Sequence, residues 1–166
     1  NDSLGARAAI DALVTRADAQ QFASAAFREE LGYWIGQGVY GAPWLMAKLS
    51  QLAVTLLNLG SSAASKDSEV LMSSPLVGVI ATQQDNRQSQ LQAGQLYERL
   101  HLAATVLGIS LQPMNQALQL AELRDTVMQC FGAAKLGLAP QMLFRLGYAE
   151  PETSATPRRP LDDVLV

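Results

Sequence analysis

The sequence predicts an α+β fold, a small β-sheet flanked by helices and preceded by an N-terminal third that is mostly helical. Three observations predict it. Short runs of strand character occur at 75–82, 109–114 and 141–148, all in the second half of the chain. Longer runs with apolar residues three and four apart separate them, the spacing of one helix face. The first 60 residues carry that helical spacing and no strand alternation. The order from residue 75 is strand, long helix, strand, helix, strand, extended tail, which packs as helices on a small sheet.

The elements follow in order. Asp2 and Ser3 are caps for a first helix with apolar Leu4, Ala8, Leu13 and Val14. A second runs from about Asp18 to Ile35, with Phe22, Ala26, Leu31 and Trp34 for one face. A Gly-rich turn follows at 36–41. Trp44 to Leu59 is apolar nearly all round, which suits a buried helix, a cover over a pocket or a partner contact. The stretch "GSSAASKDS" reads as a polar loop. "PLVGVIAT" at 75–82 is β-branched and apolar throughout, as in a strand buried on both faces. Asp85 and Gln88 have the spacing of a capping box. Leu91, Leu96, Leu100, Ala103, Ala104 and Leu107 then mark a helix that stops at Gly108. "ISLQPM" reads as a strand halted by Pro113, which has no N–H for a ladder. Leu120, Leu123, Val127 and Phe131 give another helix, ending at Gly132. In "QMLFRLGY", Met142, Phe144 and Leu146 alternate with Leu143 and Arg145, the period of a strand. The tail after Gly147 is rich in Pro, Glu, Thr and Ser and reads as extended on the surface. The chain therefore divides into a helical segment at 1–68, with a candidate cover at 43–59, and an α+β core at 69–166 with its tail, forming one folded unit.

Composition narrows the function classes. With 166 residues, 49% apolar and 16% charged, the chain can bury a core of its own. A net charge of −3 argues against a general nucleic-acid binder, which carries a basic surplus. No apolar stretch is long enough to span a bilayer, so no membrane partner is expected. One cysteine, Cys130, excludes an intrachain disulfide and points to a reducing, cytoplasmic setting. One cysteine and one histidine cannot build a zinc finger, and no metal site is expected.

Few motifs carry chemistry. "GQGVYG" at 36–41 matches G-x-G-x-x-G by letters, but a helical segment feeds it, and no acidic residue stands about twenty positions on. It reads as a chance match. No P-loop and no G-x-S-x-G elbow is present. His101 lies within the long helix and reads as a surface or boundary residue. Cys130 reads as packing, and the adjacent Asp162 and Asp163 as solvated charge. No side chain stands out as a catalytic acid, base or nucleophile. Arg158 and Arg159 differ, since guanidinium groups bind phosphate bidentately and the flanking Pro157 and Pro160 limit the cost of ordering them. By themselves they also fit a solvated basic tail.

The neighbours of that pair carry a resemblance. "LGYAEPETSATPRRPLDDVLV" resembles the C-terminal signature of the FMN-dependent nitroreductase family. "AGQLYERLHLAATVLGISLQPMNQ" at 93–116 is similar to that family's glycine-opened helix and the short strand behind it. "SSPLVGVIAT" fits its preceding core strand. Gly94, the Leu-Gly at 107–108, the Leu-Gly-Tyr at 146–148 and the "PRRPL" at 157–161 occur in order, and the resemblance covers about residues 69–166. Within the family the chain looks most like the C-terminal half of the divergent, two-module Acg-like branch.

The resemblance implies FMN as cofactor, with Arg158 and Arg159 on its phosphate. It places Pro113, Met114 and Asn115 at the isoalloxazine edge, partly through backbone N–H groups. It implies an NAD(P)H oxidoreductase that reduces nitroaromatics or quinones. The family's N-terminal Arg-Arg-Ser-type element is not among these residues, and "QPMNQ" stands where common members carry a more acidic, Gly-containing turn. The expected partners are therefore FMN, NAD(P)H, and either a missing N-terminal half or a second subunit in a dimer. The alternatives are an FMN-sequestering protein without turnover and a cofactor-free interaction module.

Overall fold

A computed structural model describes residues 3–39, 41–150 and 162. Among these, six α-helices and three strands run in the order α1 Ser3–Ala23, α2 Ala25–Gly36, α3 Trp44–Leu56, α4 Gly60–Ser73, β1 Leu76–Thr82, α5 Arg87–Val106, β2 Ser110–Pro113, α6 Ala121–Cys130 and β3 Ala139–Gly147. Two short 3-10 turns, Gln116–Leu118 and Ala134–Leu136, flank α6. Contacts gather the described residues into two compact units, 3–19 with 61–150 and, separately, 20–60. The α+β class and the helical N-terminal part are as the sequence predicts.

The first unit is built on the three-stranded sheet. β3 is central and antiparallel to β1 on one side and to β2 on the other. Successive β3 side chains point to opposite faces, and each face has its own core. Leu143, which no solvent reaches, belongs to one core cluster with Ile10, Val14 and Ala17 of α1, Leu71 of α4, and Leu123 and Val127 of α6. Phe144, on the other face, meets Ile80, Leu111, and Ala93 and Ala104 of α5. The Phe144 ring lies over Gly78 of β1, where a Cβ would stand 2.7 Å from it, so only glycine fits beneath the ring. Tyr97 of α5 covers that ring edge-on, centroids 5.8 Å apart. Arg7 ties α1 to the end of α4, donating to the Met72 and Pro75 carbonyls at 3.3 and 3.2 Å.

Several expectations are corrected here. β1 is an edge strand of the described sheet, with only Ile80 buried, rather than a strand buried on both faces. Its continuous apolar run serves two half-covered faces, Ile80 toward α5 and Val77 and Val79 toward the α1 side. "GSSAASKDS" is not a loop but the body of α4. Within the first unit its inward stripe is Ala64, Asp67 and Leu71, a helical spacing in which one small and one polar residue precede the leucine. The break between the first two helices falls at Ser24 rather than before Asp18. There the Ser24 hydroxyl accepts from the Phe27 N–H at 3.4 Å, and Arg28 closes the end of α1 by donating to the Phe22 and Ala23 carbonyls at 2.6 and 3.1 Å. α5 is capped by Asn86, whose side chain accepts from the Ser89 N–H at 2.9 Å, and not by Asp85 with Gln88. α5 also buries Ala93 and Ala104, while Leu91, Leu96, Leu100 and Leu107 are exposed. Small residues let that helix lie close to the sheet. α5 does stop before Gly108, whose φ is +70°.

In the second unit α2 packs on α3 through Gly32 and Gly36. A Cβ on Gly32 would collide with the Thr55 hydroxyl and stand 3.2 Å from the Gln51 carbonyl oxygen. α3 itself buries Ala47 and Val54, while Trp44 is 73% exposed and Leu45, Met46, Leu49, Leu52 and Leu56 are also exposed. The helix expected at 44–59 is there, but it is not a buried one.

Candidate functional site

The segment singled out as a ligand edge forms a corner at the end of β2. Pro113 ends the strand and is exposed. Met114 turns inward, 4% exposed, and its N–H donates to the Leu143 carbonyl at 2.8 Å. Asn115 binds β3 twice. Its Oδ1 accepts from the Leu143 N–H at 2.9 Å, and its Nδ2 donates to Met142 Sδ at 2.9 Å. The corner is therefore clamped to the central strand on both sides of Leu143. Of the three residues, Pro113 presents its ring outward, while the Met114 N–H and the Asn115 amide are already engaged within the protein. Arg158 and Arg159, expected at a phosphate, lie outside the described residues, as do Asp163 and the other residues of 151–166 except Asp162, which is exposed.

Beyond the corner, a cavity of about 370 Å³ opens beside α5, lined by Gln90, Gly94, Tyr97, Leu118, Arg124 and Met142. A polar network forms part of its rim. Arg124 Nη1 meets Asp85 Oδ2 at 2.8 Å, while its Nε and Nη2 donate to the Pro140 carbonyl at 3.2 and 3.0 Å. Gln90 and Gln141 donate to Asp85 Oδ1 at 3.1 and 3.2 Å. Hydrogen bonds from Gln90, Gln141 and Arg124 hold the Asp85 carboxyl down at about 2. Each nitrogen of the Arg124 guanidinium has a partner, so the rim ties together α6, β3 and the start of α5.

A second polar cluster lies on the opposite face of the sheet, and sequence reasoning missed it. Asp18 of α1 is 3% exposed, and its carboxyl is within hydrogen-bonding reach of Asp67 of α4. Gln116 Nε2 donates to Asp67 Oδ2 at 2.8 Å. Arg145 of β3 lies near enough for the Asp67 charge to act on it, and its guanidinium donates to the Ser74 hydroxyl at 3.2 Å and to Gln112 Oε1. A signal existed in the sequence. Asp18 follows Ile10, Val14 and Ala17 on the inward stripe of α1, where a carboxylate has no business unless it has a partner.

The remaining candidates are placed plainly. His101 is exposed on α5 and stacks on Tyr97, centroids 6.2 Å apart. Cys130 is half-buried against the α1-side core, its thiol donating to the Thr126 carbonyl at 3.5 Å, and burial pushes its pKa up. That is the environment of an inert packing thiol. Among the described residues no group of three or more His, Cys, Asp or Glu could hold a metal ion, and no helix is long and apolar enough to cross a membrane.

Comparison with known proteins shows what the chain is similar to. Over 94% of its length the chain is 30% identical to the Mycobacterium tuberculosis protein named "Putative NAD(P)H nitroreductase Rv3131", of which it covers 47%. A shorter stretch, 52% of the chain, is 34% identical to that organism's "Putative NAD(P)H nitroreductase acg", covering 26% of it. The similarity is to the Acg-like branch of the nitroreductase family. "Uncharacterized protein Rv3127" of the same organism is 32% identical over 52% of the chain. No protein-family model matches the chain, and no solved structure matches it significantly. The chain spans about half the length of the first of these relatives.

Proposed function

We propose that this chain is part of a nitroreductase-like flavoprotein, an oxidoreductase that takes hydride from NAD(P)H and delivers it to a nitroaromatic or quinone acceptor through FMN. The observation that carries this reading is similarity to a named NAD(P)H nitroreductase along 94% of the chain. Bound FMN would supply the two-electron hydride chemistry, and the protein's task is to hold and orient it.

Each residue then has a limited role. Pro113 presents a flat apolar surface to the isoalloxazine edge. Met114 and Asn115 keep that surface in place, since their polar groups are fixed to β3. Arg158 and Arg159 neutralise the phosphate. No described side chain needs to gain or lose a proton on the substrate. A second half of the protein, or a second subunit, completes the flavin site.

The test is flavin binding followed by turnover. Protein titrated with FMN should quench flavin fluorescence and retain a yellow absorbance band through gel filtration. Colourless protein that ignores FMN, alone and together with the remainder of its natural chain, would remove the reading. A second reading is FMN held without turnover. Steady-state oxidation of NAD(P)H with a nitroaromatic separates the two.

A further inference from the structure

We propose that Asp18 and Asp67 share a single proton, and that this acid–carboxylate pair is a proton-dependent latch that positions Gln116 and, through it, the 113–115 corner. The geometry requires a shared proton if both groups are to stay where they are. Asp18 is almost fully enclosed, and its Oδ2 has no hydrogen-bond partner. An ionised carboxylate in that setting would be both unsolvated and pressed against a second negative charge. With a proton on Asp18, its O–H donates to Asp67, and a hydrogen bond of this kind between carboxyl groups is short and strong.

The charges that bear on the pair come from three elements. Asp18 on α1 and Asp67 on α4 face each other, Arg145 on β3 faces Asp67, and the 3-10 turn contributes the uncharged Gln116. Asp67 also accepts from Gln116 Nε2 at 2.8 Å. Burial first, then the charge and hydrogen bond of Asp67, push Asp18 from its ordinary 3.8 up to about 7. Gln116 immediately follows Asn115, and its Oε1 is buried without a partner, so its tie to Asp67 is the hydrogen bond that fixes the amide. Loss of the shared proton turns an attraction into a repulsion at the point where the 3-10 turn is fastened. Asp18 and Asp67 are thus positioning residues. Their consequence for a flavin rests on the function proposed above, whereas the latch itself does not.

The experiment is run without flavin, so failure of the latch and failure of the flavin reading remain distinct. Aspartate side chains labelled with ¹³C at the carboxyl are titrated by NMR from pH 3 to 9, and amide exchange is followed at residues 114–118. One aspartate should titrate near neutrality, more than two pH units above its ordinary value. The protection factors of 114–118, corrected for intrinsic base catalysis, should fall as pH rises through that same value. Asp18→Asn offers an amide donor in place of the carboxylic O–H. It should keep these amides protected across the whole range, while Asp18→Ala should lose the protection at every pH. All aspartates titrating below pH 5, or equal pH dependence of the 114–118 amides in wild type and D18N, overturns the proposal. Should D18N fail to fold, the wild-type carboxyl titration decides alone.

Discussion

Two residues show how much a single polar side chain fastens. Asp85 accepts from Gln90, Gln141 and Arg124, and its carboxyl is held down at about 2 instead of 3.8. A depressed carboxylate contributes stability above its unfolded value and loses it as the pH falls through its folded value. The contribution should therefore be intact above about pH 4 and fade between there and pH 2. Asp85→Asn should flatten that acid limb in thermal melts, its difference from wild type being present above about pH 4 and vanishing toward about pH 2, and small throughout because the ion pair is partly exposed. Asn115 is the counterpart in the interior. Its Oδ1 accepts from the N–H of Leu143, whose side chain is wholly buried. Asn115→Ala leaves that donor unmet, and urea unfolding should show a loss of about 1–3 kcal/mol. Asn115 was singled out in the sequence for its place in "QPMNQ", yet its structural task was not legible there. The partner is 28 residues away, and nothing local to the motif announces it.

At the scale of elements, glycine divides into two kinds that the sequence spells alike. Gly32 of α2 packs against α3, where an added Cβ would meet the Thr55 hydroxyl and the Gln51 carbonyl. Backbone cannot give way as a side chain tip can, so Gly32→Ala should destabilise by about 1–3 kcal/mol despite the better helix propensity of alanine. Gly94 lies in α5 with nothing within 4 Å of an added Cβ. Gly94→Ala should raise stability by about 0.5–1 kcal/mol, the ordinary gain of alanine in a helix. Chemical denaturation of both variants checks the contrast, and equal effects would mean that the α2–α3 approach is looser than described. The same lesson explains α4 and α5. Both bury small residues, Ala64 in one and Ala93 and Ala104 in the other, while exposed leucines of α5 carry the more conspicuous pattern. Hydrophobic periodicity finds the helices whose buried stripe is large and apolar. It passes over those that pack closely through alanine and glycine.

For the whole molecule, the function turns on a segment beyond the described residues. If Arg158 and Arg159 hold the FMN phosphate, replacing both with Ala should weaken FMN binding by several kcal/mol, since each charged hydrogen bond is worth about 1.5–3 kcal/mol. Fluorescence titration measures this directly, and an unchanged dissociation constant would put the phosphate elsewhere. The sequence by itself determined the α+β class, the strand alternation of β3, the stop of β2 at Pro113 and the resemblance to Acg-like nitroreductases. Those properties are local, or are carried by ordered motifs that survive without coordinates. Only the tertiary structure decided that β1 is an edge of the described sheet, that "GSSAASKDS" is a helix, and that Asp18, Asp67, Gln116 and Arg145 converge beneath the 113–115 corner. The reason is physical. A side chain's role inside a protein is set by what it is desolvated against, and those neighbours come from four separate elements, the nearest of them 29 positions apart in the chain (116 to 145).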